Sequence, residues 1–283
     1  MGLGLARMAS AQSWTDLRSR LISSLVLGCL VLAVAVIGGP IFRAFCCATG
    51  VIVFEEWARM TRAKRAGPIF KFARRSLFFA LFAFLLGEDV LAIGIVAAAG
   101  MFVAFIDRGE RKADWVLGGL AYAAVAALAP GMLRGDDAAG LAVLGLVICV
   151  VWPTDIFAYF TGRTIGGPKI MPAVSPKKTI SGSLGGLVAG IFCGTALYVE
   201  VAGQFHVWIL LFTALLSILG QAGDLFESWI KRRFGVKDSG RIIPGHGGLM
   251  DRIDALIVAM AAAWLFGLAV QGFDNPALAI FDI

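Results

Sequence analysis

Nine separate runs of mostly apolar residues, each near bilayer length, recur along this chain, and that repetition limits its fold more than any other feature. A hydrocarbon core takes roughly 20 helical residues to cross. The runs lie at residues 21–39, 41–57, 69–87, 90–106, 115–133, 140–160, 185–202, 207–223 and 255–271. Within them apolar residues are continuous rather than alternating, which favours helices over the strands of a closed barrel. Composition agrees: 59% of the 283 residues are hydrophobic and 16% charged, too little charge to cover a water-soluble surface of this size. The expected fold is all-α, a polytopic membrane bundle of about nine transmembrane helices. The third run is the weakest. Lys71, Arg74 and Arg75 leave only 76–87 uniformly apolar, and those cations would have to snorkel to the headgroups.

The distribution of positive charge tests this count independently. With the N-terminus in the cytoplasm, the inner segments are 1–20, 58–75, 107–114, 161–184 and 224–254. They hold 23 of the 25 lysines and arginines, all but Arg43 and Arg134. Removing or adding a span in the middle would scramble that split. The expected topology is N-terminus inside and C-terminus outside. The division expected is a short segment 1–20, membrane helices over 21–133, and a functional part over 140–283 with two long inner loops, 161–184 and 224–254. Residues 1–20 and the run after them also resemble a secretory signal with Ala33-Val34-Ala35 as a cleavage site. The run is long for a signal and the next follows at once, so a retained anchor is expected.

Several chemistries lack their raw material. The five cysteines (Cys29, Cys46, Cys47, Cys149, Cys193) all sit in apolar runs without ligand spacing, and read as small buried hydrophobes. The two histidines, His206 and His246, give a zinc site of the usual His/Cys kind almost nothing to build from. The net charge of +6 has the sign of an anionic partner, but its placement follows membrane topology, and no nucleic-acid partner is expected.

The polar chemistry is concentrated in the two long inner loops. Residues 220–235 read GQAGDLFESWIKRRFG and are expected to continue the eighth helix past the membrane face. Asp224, Glu227, Ser228 and Lys231 then form one stripe. Glu227 is best explained by an i,i+4 salt bridge to Lys231. Asp224 lies at the membrane border, where an unpaired carboxylate is costly, so a metal or side-chain cation is expected beside it.

Residues 237–254 read KDSGRIIPGHGGLMDRID. Pro244, Gly245, Gly247 and Gly248 forbid regular helix and let backbone approach a ligand closely. The ninth helix is expected to begin near Met250–Arg252, with Asp251 and Asp254 on its first turn. Acids there cap a helix and answer its dipole, which explains one acid well and two less well. Facing Asp224, they also suit Mg²⁺, which takes one or two carboxylates plus substrate phosphates. Asp251 is read as a metal ligand; Asp254 stays open between the two roles. His246 is a turn residue or a base.

The other loop pairs glycines (Gly162, Gly166, Gly167) with Arg163, Lys169 and the run Ser175-Pro176-Lys177-Lys178-Thr179, a mixture suited to phosphate oxygens. It lacks P-loop spacing. Its basic residues also serve topology alone. Asp155, in the lower part of the sixth run, is an expensive acid of open role. Ser181, Gly182, Ser183, Gly185 and Gly186 read as small residues for close helix packing. Together these features point to metal-assisted phosphate chemistry at the inner leaflet, on a substrate part lipid and part water-soluble.

The signature from Ser228 to Asp254 (Ser228-Trp-Ile-Lys231-Arg232, Lys237-Asp238-Ser239-Gly240, Pro244-Gly-His246-Gly-Gly248, Asp251-Arg252-Ile-Asp254) resembles that of the phosphatidate cytidylyltransferases, or CDP-diacylglycerol synthases. Gln221-Ala-Gly-Asp224 and the 175–179 loop resemble family segments as well. The likeness covers roughly 155–254, and the first five helices match only as a generic bundle. Family members commonly carry Glu-Gly where this chain has Ser181-Gly182, so the charge of that glutamate has no counterpart at this position.

The resemblance implies condensation of CTP with phosphatidic acid to CDP-diacylglycerol and pyrophosphate, with Mg²⁺ held by Asp224 and Asp251 and a monovalent cation such as K⁺ sharing the site. Asp224, Asp251, Lys231 and Asp254 form the expected catalytic set. Ser175, Lys177, Lys178, Thr179, Arg232, Lys237, Asp238, His246, Gly247, Gly248 and Arg252 form the expected substrate-binding set. Lys178, Lys231, Arg232 and Arg252 are the candidate phosphate clamps. Lys237 and Asp238 stay open between metal, nucleotide and scaffold. The expected setting is the inner (plasma) membrane, among membrane lipids, with the site facing the cytoplasm; a homodimer is carried as an expectation. The competing readings are a CTP-dependent polyprenol or dolichol kinase, which would release CDP, and an ion-coupled transporter, which would want polar groups at mid-depth.

Overall fold

The computed structural model describes residues 28–106, 113–243 and 247–282. Among them the apolar runs form nine α-helices: α1 (Gly28–Ile37), α2 (Gly39–Met60), α3 (Pro68–Leu85), α4 (Asp89–Ile106), α5 (Asp114–Arg134), α6 (Ala138–Thr164), α7 (Ile180–Ala202), α8 (Trp208–Arg233) and α9 (Met250–Gln271). The expected segment 1–20, the start of the first run and the basic residues of 107–112 lie outside the described residues. Six helices, α4 to α9, are long and apolar enough to cross a membrane. α2 and α3 have the length, but Arg43, Glu55, Glu56 and Arg59 interrupt the one and Lys71, Arg74 and Arg75 the other.

Small residues set how closely the helices approach, because lipid tails leave no hydrophobic force to press helices together. α5 is the central helix, with 67% of its apolar window covered by protein against 17% for α4, which faces outward. The α6–α7 pair is the most extensive. There Gly182, Gly185, Gly186 and Gly190 of α7 lie against Ala158, Thr161 and Thr154 of α6, and a side chain at any of them would collide. This is the packing role expected for the small residues after Lys178-Thr179. One hydrophobic core runs from Ala35 to Phe281, continuous across the expected division between 133 and 140.

The two cations outside the basic segments are both used internally. Arg134 ends α5 and is buried, donating from Nε to Ala35 O (2.6 Å) and from Nη2 to Val36 O (3.1 Å). These are last-turn carbonyls of α1, which have no partner within their own helix. A third bond, from Nη1, reaches Asp137 O (3.0 Å). Arg43 of α2 donates to Phe84 O (2.9 Å) at the end of α3 and forks onto Asp89 at the start of α4, with Nη2–Oδ2 3.1 Å.

The bundle is all-α as expected, and the long loop 161–184 adds one short hairpin to it. α6 runs on to Thr164, α7 begins at Ile180, and between them β1 (Lys169–Met171) pairs antiparallel with β2 (Ser175–Thr179). Gly166 and Gly167, at φ 68° and 102°, break the helix in a region that L side chains avoid. A two-stranded hairpin is marginal by itself. This one is anchored on α8, where Arg232 Nε donates to Val174 O (3.4 Å) and Lys178 pairs with Asp224. The second loop also shrinks: α8 extends to Arg233, as its apolar neighbours suggested, and α9 starts at Met250.

Arg134→Ala should strand the terminal carbonyls of α1 and lower stability by about 2–3 kcal/mol. Thermal unfolding of the detergent-solubilised protein reads this, and an unchanged Tm would contradict the role given to Arg134.

Candidate active site

The C-terminal end of α8, the N-terminal end of α9 and strand β2 converge at one end of the bundle. The stripe on α8 forms as its spacing implies, with Lys231 Nζ 2.8 Å from Glu227 Oε2. The same ammonium lies 2.8 Å from Asp251 Oδ1 on α9. One cation therefore joins two acids from two helices, and all three side chains are largely covered: 12% exposed for Lys231, 1% for Glu227 and 7% for Asp251. Desolvation offsets much of what such a buried pair gains, but removing one partner is costly because it strands a buried charge.

Asp251 does more than meet Lys231. Its oxygens accept from Ser239 N (2.9 and 3.1 Å), Ser239 Oγ (3.0 Å) and Gly248 N (2.9 Å). The bond back to Gly248, three residues earlier, resembles the return arm of a capping box. Asp251 thus fastens the glycine loop to the helix that carries it. Asp224 pairs with Lys178 from the hairpin and takes a hydrogen bond from Ser228 Oγ at 3.3 Å. Adjacent strand residues point to opposite faces, so Lys178 turns to Asp224 while Lys177 stays exposed.

The acids exceed the donors at one point. Glu227 Oε1 is buried and receives no hydrogen bond, while the Asp254 carboxyl lies within hydrogen-bonding reach of the same side chain. Asp155 is near enough to Asp224 and Asp254 for their charges to act on it. Among the described residues no three His, Cys, Asp or Glu side chains form a ready-made metal cage. Asp224 and Asp251 already have protein donors, but the orphaned Glu227 Oε1 beside Asp254 is a hard carboxylate oxygen of the kind Mg²⁺ takes together with water and substrate phosphate.

A family model described as "Cytidylyltransferase family" matches residues 18–270. The chain belongs to this cytidylyltransferase family. A phosphatidate cytidylyltransferase of Brucella suis is 38% identical over 269 residues, covering 95% of this chain and 99% of that protein. One from Staphylococcus haemolyticus is 30% identical over 253 residues, 86% of this chain and 96% of its own length. The likeness is therefore not confined to the C-terminal signature; it extends through the N-terminal helices.

The other expected substrate residues of this cytidylyltransferase occupy varied positions. Ser175 and Lys177 lie on β2, and Thr179, at its end, is buried. Thr179 caps α7 through Gly182 N (3.1 Å), so its hydroxyl already has a structural use. Arg232, Lys237, Asp238 and Arg252 are exposed around the site. His246 lies outside the described residues. Gly247 and Gly248 approach Asp251, Ser239 and Glu56 closely.

Glu56 is the residue that sequence reasoning missed. It belongs to α2, is fully buried, and accepts from Leu249 N (3.0 Å), Met250 N (2.8 Å) and Ser239 Oγ (3.1 Å). The signal was present, since an acid near the end of an apolar run is expensive there, as at Asp155.

Gly248→Ala would push a Cβ into Ser239 Oγ and to 2.6 Å from Glu56 Oε2. The loop must then shift away from Asp251, and cytidylyltransferase turnover should fall by at least about tenfold. Turnover near that of the unaltered enzyme, at equal folded protein, would show that this close packing is dispensable.

Proposed function

We propose that the protein transfers the CMP moiety of CTP to phosphatidic acid, forming CDP-diacylglycerol and pyrophosphate at the cytoplasmic face of the membrane. The observation that carries this reading is the meeting of Lys178 with Asp224 and of Lys231 with Asp251 in a chain similar to phosphatidate cytidylyltransferases over nearly its whole length. Nine spans with the N-terminus inside would bring the hairpin and the α8–α9 loop to the same, cytoplasmic side. Clustering of lysine and arginine in the segments between spans supports that arrangement.

The nucleophile is a phosphate oxygen of phosphatidic acid. A phosphate monoester has a second pKa of about 6, so it is largely ionised at cell pH and needs no strong base. Its oxygen attacks the α-phosphorus of CTP, the new P–O bond forms, and the bond to pyrophosphate breaks in line. Asp224 and Asp251 would hold Mg²⁺, with the Glu227–Asp254 pair beside them. When bound, the ion neutralises the phosphates and the departing pyrophosphate. A K⁺ ion sharing the site rests on the family resemblance alone.

The chain's own cations do the positioning. Lys178 and Lys231, each now held by an aspartate, can turn to phosphate oxygens without leaving the cluster. Arg232 and Arg252 stand at its exposed edge. The dense packing of the α8 and α9 ends keeps these groups prepaid in orientation, which is where phosphoryl-transfer enzymes gain most of their rate.

With purified protein and labelled CTP, lipid-linked cytidine and pyrophosphate should appear together when phosphatidic acid is supplied. Free CDP with a phosphorylated lipid alcohol would instead identify a kinase. Asp224→Asn should lower turnover by about a thousandfold or more while insertion and folding persist; near-normal rates would remove Asp224 from the site. EDTA should stop CDP-lipid formation, and excess Mg²⁺ should restore it.

A further inference from the structure

Glu56 poses a problem that membrane anchoring does not solve. It lies in α2, far along the chain from the C-terminal signature, and is fully buried. A buried carboxylate costs several kcal/mol unless its charge is answered. Among the described residues no lysine or arginine comes within salt-bridge range of it. The answer comes from donors on the α8–α9 loop. Oε1 accepts from Leu249 N, and Oε2 accepts from Met250 N and Ser239 Oγ. The two amides belong to the open N-terminus of α9, where orphan N–H groups and the helix dipole both favour an anion.

The surroundings are shaped to this carboxylate. A Cβ on Gly240 or Gly248 would overlap it. Next to it, Trp57 fixes α2 in register: its Nε1 donates to Trp115 O at 2.7 Å, and its ring packs against Gly118 and Gly119 of α5. Ser239 connects Glu56 to the site. Its backbone N–H donates to Asp251, and its Oγ stands 3.0 Å from Asp251 Oδ2 and 3.1 Å from Glu56 Oε2. A serine hydroxyl has one hydrogen to give, so the two carboxylates share it.

We infer that Glu56 is a positioning residue for cytidylyl transfer: from α2 it sets the height and rotation of the α9 N-terminus and, through Ser239, the orientation of Asp251. It touches neither substrate. The inference rests on the proposed function only for its kinetic readout. The N-terminal helices then supply part of the catalytic frame as well as the anchor.

The test compares Glu56→Gln, Ser239→Ala and the double variant in the full-length protein. It follows amide hydrogen exchange over residues 234–255, thermal unfolding, and kinetics with CTP and phosphatidic acid. Glutamine offers one acceptor oxygen where the carboxylate has two, so exchange at at least one of Leu249 and Met250 should quicken about tenfold. Per folded enzyme, kcat should fall roughly 10- to 100-fold with KM for CTP within about threefold, the pattern of misplaced catalytic groups. The double variant should be no worse than Glu56→Gln, because both act along one chain of contacts.

Unchanged exchange, unchanged kcat, additive losses, or a loss that merely follows the amount of folded protein would each overturn the inference. If Glu56→Gln cannot be isolated folded, Ser239→Ala decides: a lower kcat at normal Tm supports it, and an unaltered kcat refutes it. An unaltered protein that makes no CDP-lipid would refute the proposed reaction, while the exchange data would still judge whether Glu56 holds α9.

Discussion

An ionised side chain beside hydrocarbon must meet an opposite charge, a set of hydrogen-bond donors or a bound cation, and in this protein most of those answers come from another element. Lys231 of α8 answers both Glu227 of its own helix and Asp251 of α9. Lys178 of the hairpin answers Asp224. The loop before α9 answers Glu56, and Arg134 of α5 answers the carbonyl end of α1. Each of these links is costly to break because its partners are partly or wholly removed from water. The ends of the bundle are therefore wired by polar contacts, and that wiring decides which helix tips meet.

Between the ends a different force operates. Helices in lipid gain little by hiding apolar surface from one another, so close approach and shape complementarity must hold them. The glycines of α7 against Thr154, Ala158 and Thr161 provide this on the C-terminal side. An aromatic group provides it where the halves join: Trp57 lies 5.3 Å from Tyr122 and 6.3 Å from Phe226, ring centroid to centroid, linking α2, α5 and α8. The acids of α8 and α9 thus stand on rigid helix ends rather than on loops. A two-substrate phosphate transfer benefits from that rigidity, because orientation set in advance need not be found during the reaction.

Much of this was legible along the chain, and the limits of legibility have physical causes. Helix positions followed from apolar length, and the extension of α8 to Arg233 followed from the apolar neighbours of its polar stripe. The small residues after Thr179 announced a close helix contact. The hairpin at Lys169–Thr179 was not announced, since its strands are short and polar and are stabilised by α8 rather than by their own propensity. Thr179 read as a phosphate ligand and is found as the cap of α7, a role that depended on where that helix began. Lys231 read as the partner of Glu227 and as a phosphate clamp, and its pairing with Asp251 was not legible because that acid belongs to another helix.

By itself the sequence determined the class of fold, the chemical character of the site and the residues that could form it. Hydrophobic length and side-chain chemistry are local properties, readable residue by residue. Only the tertiary structure decided which charges meet, that a hairpin lysine closes on Asp224, and that Glu56 caps a helix 194 residues further along. A hydrogen bond depends on position and direction in space, and separation along the chain carries neither.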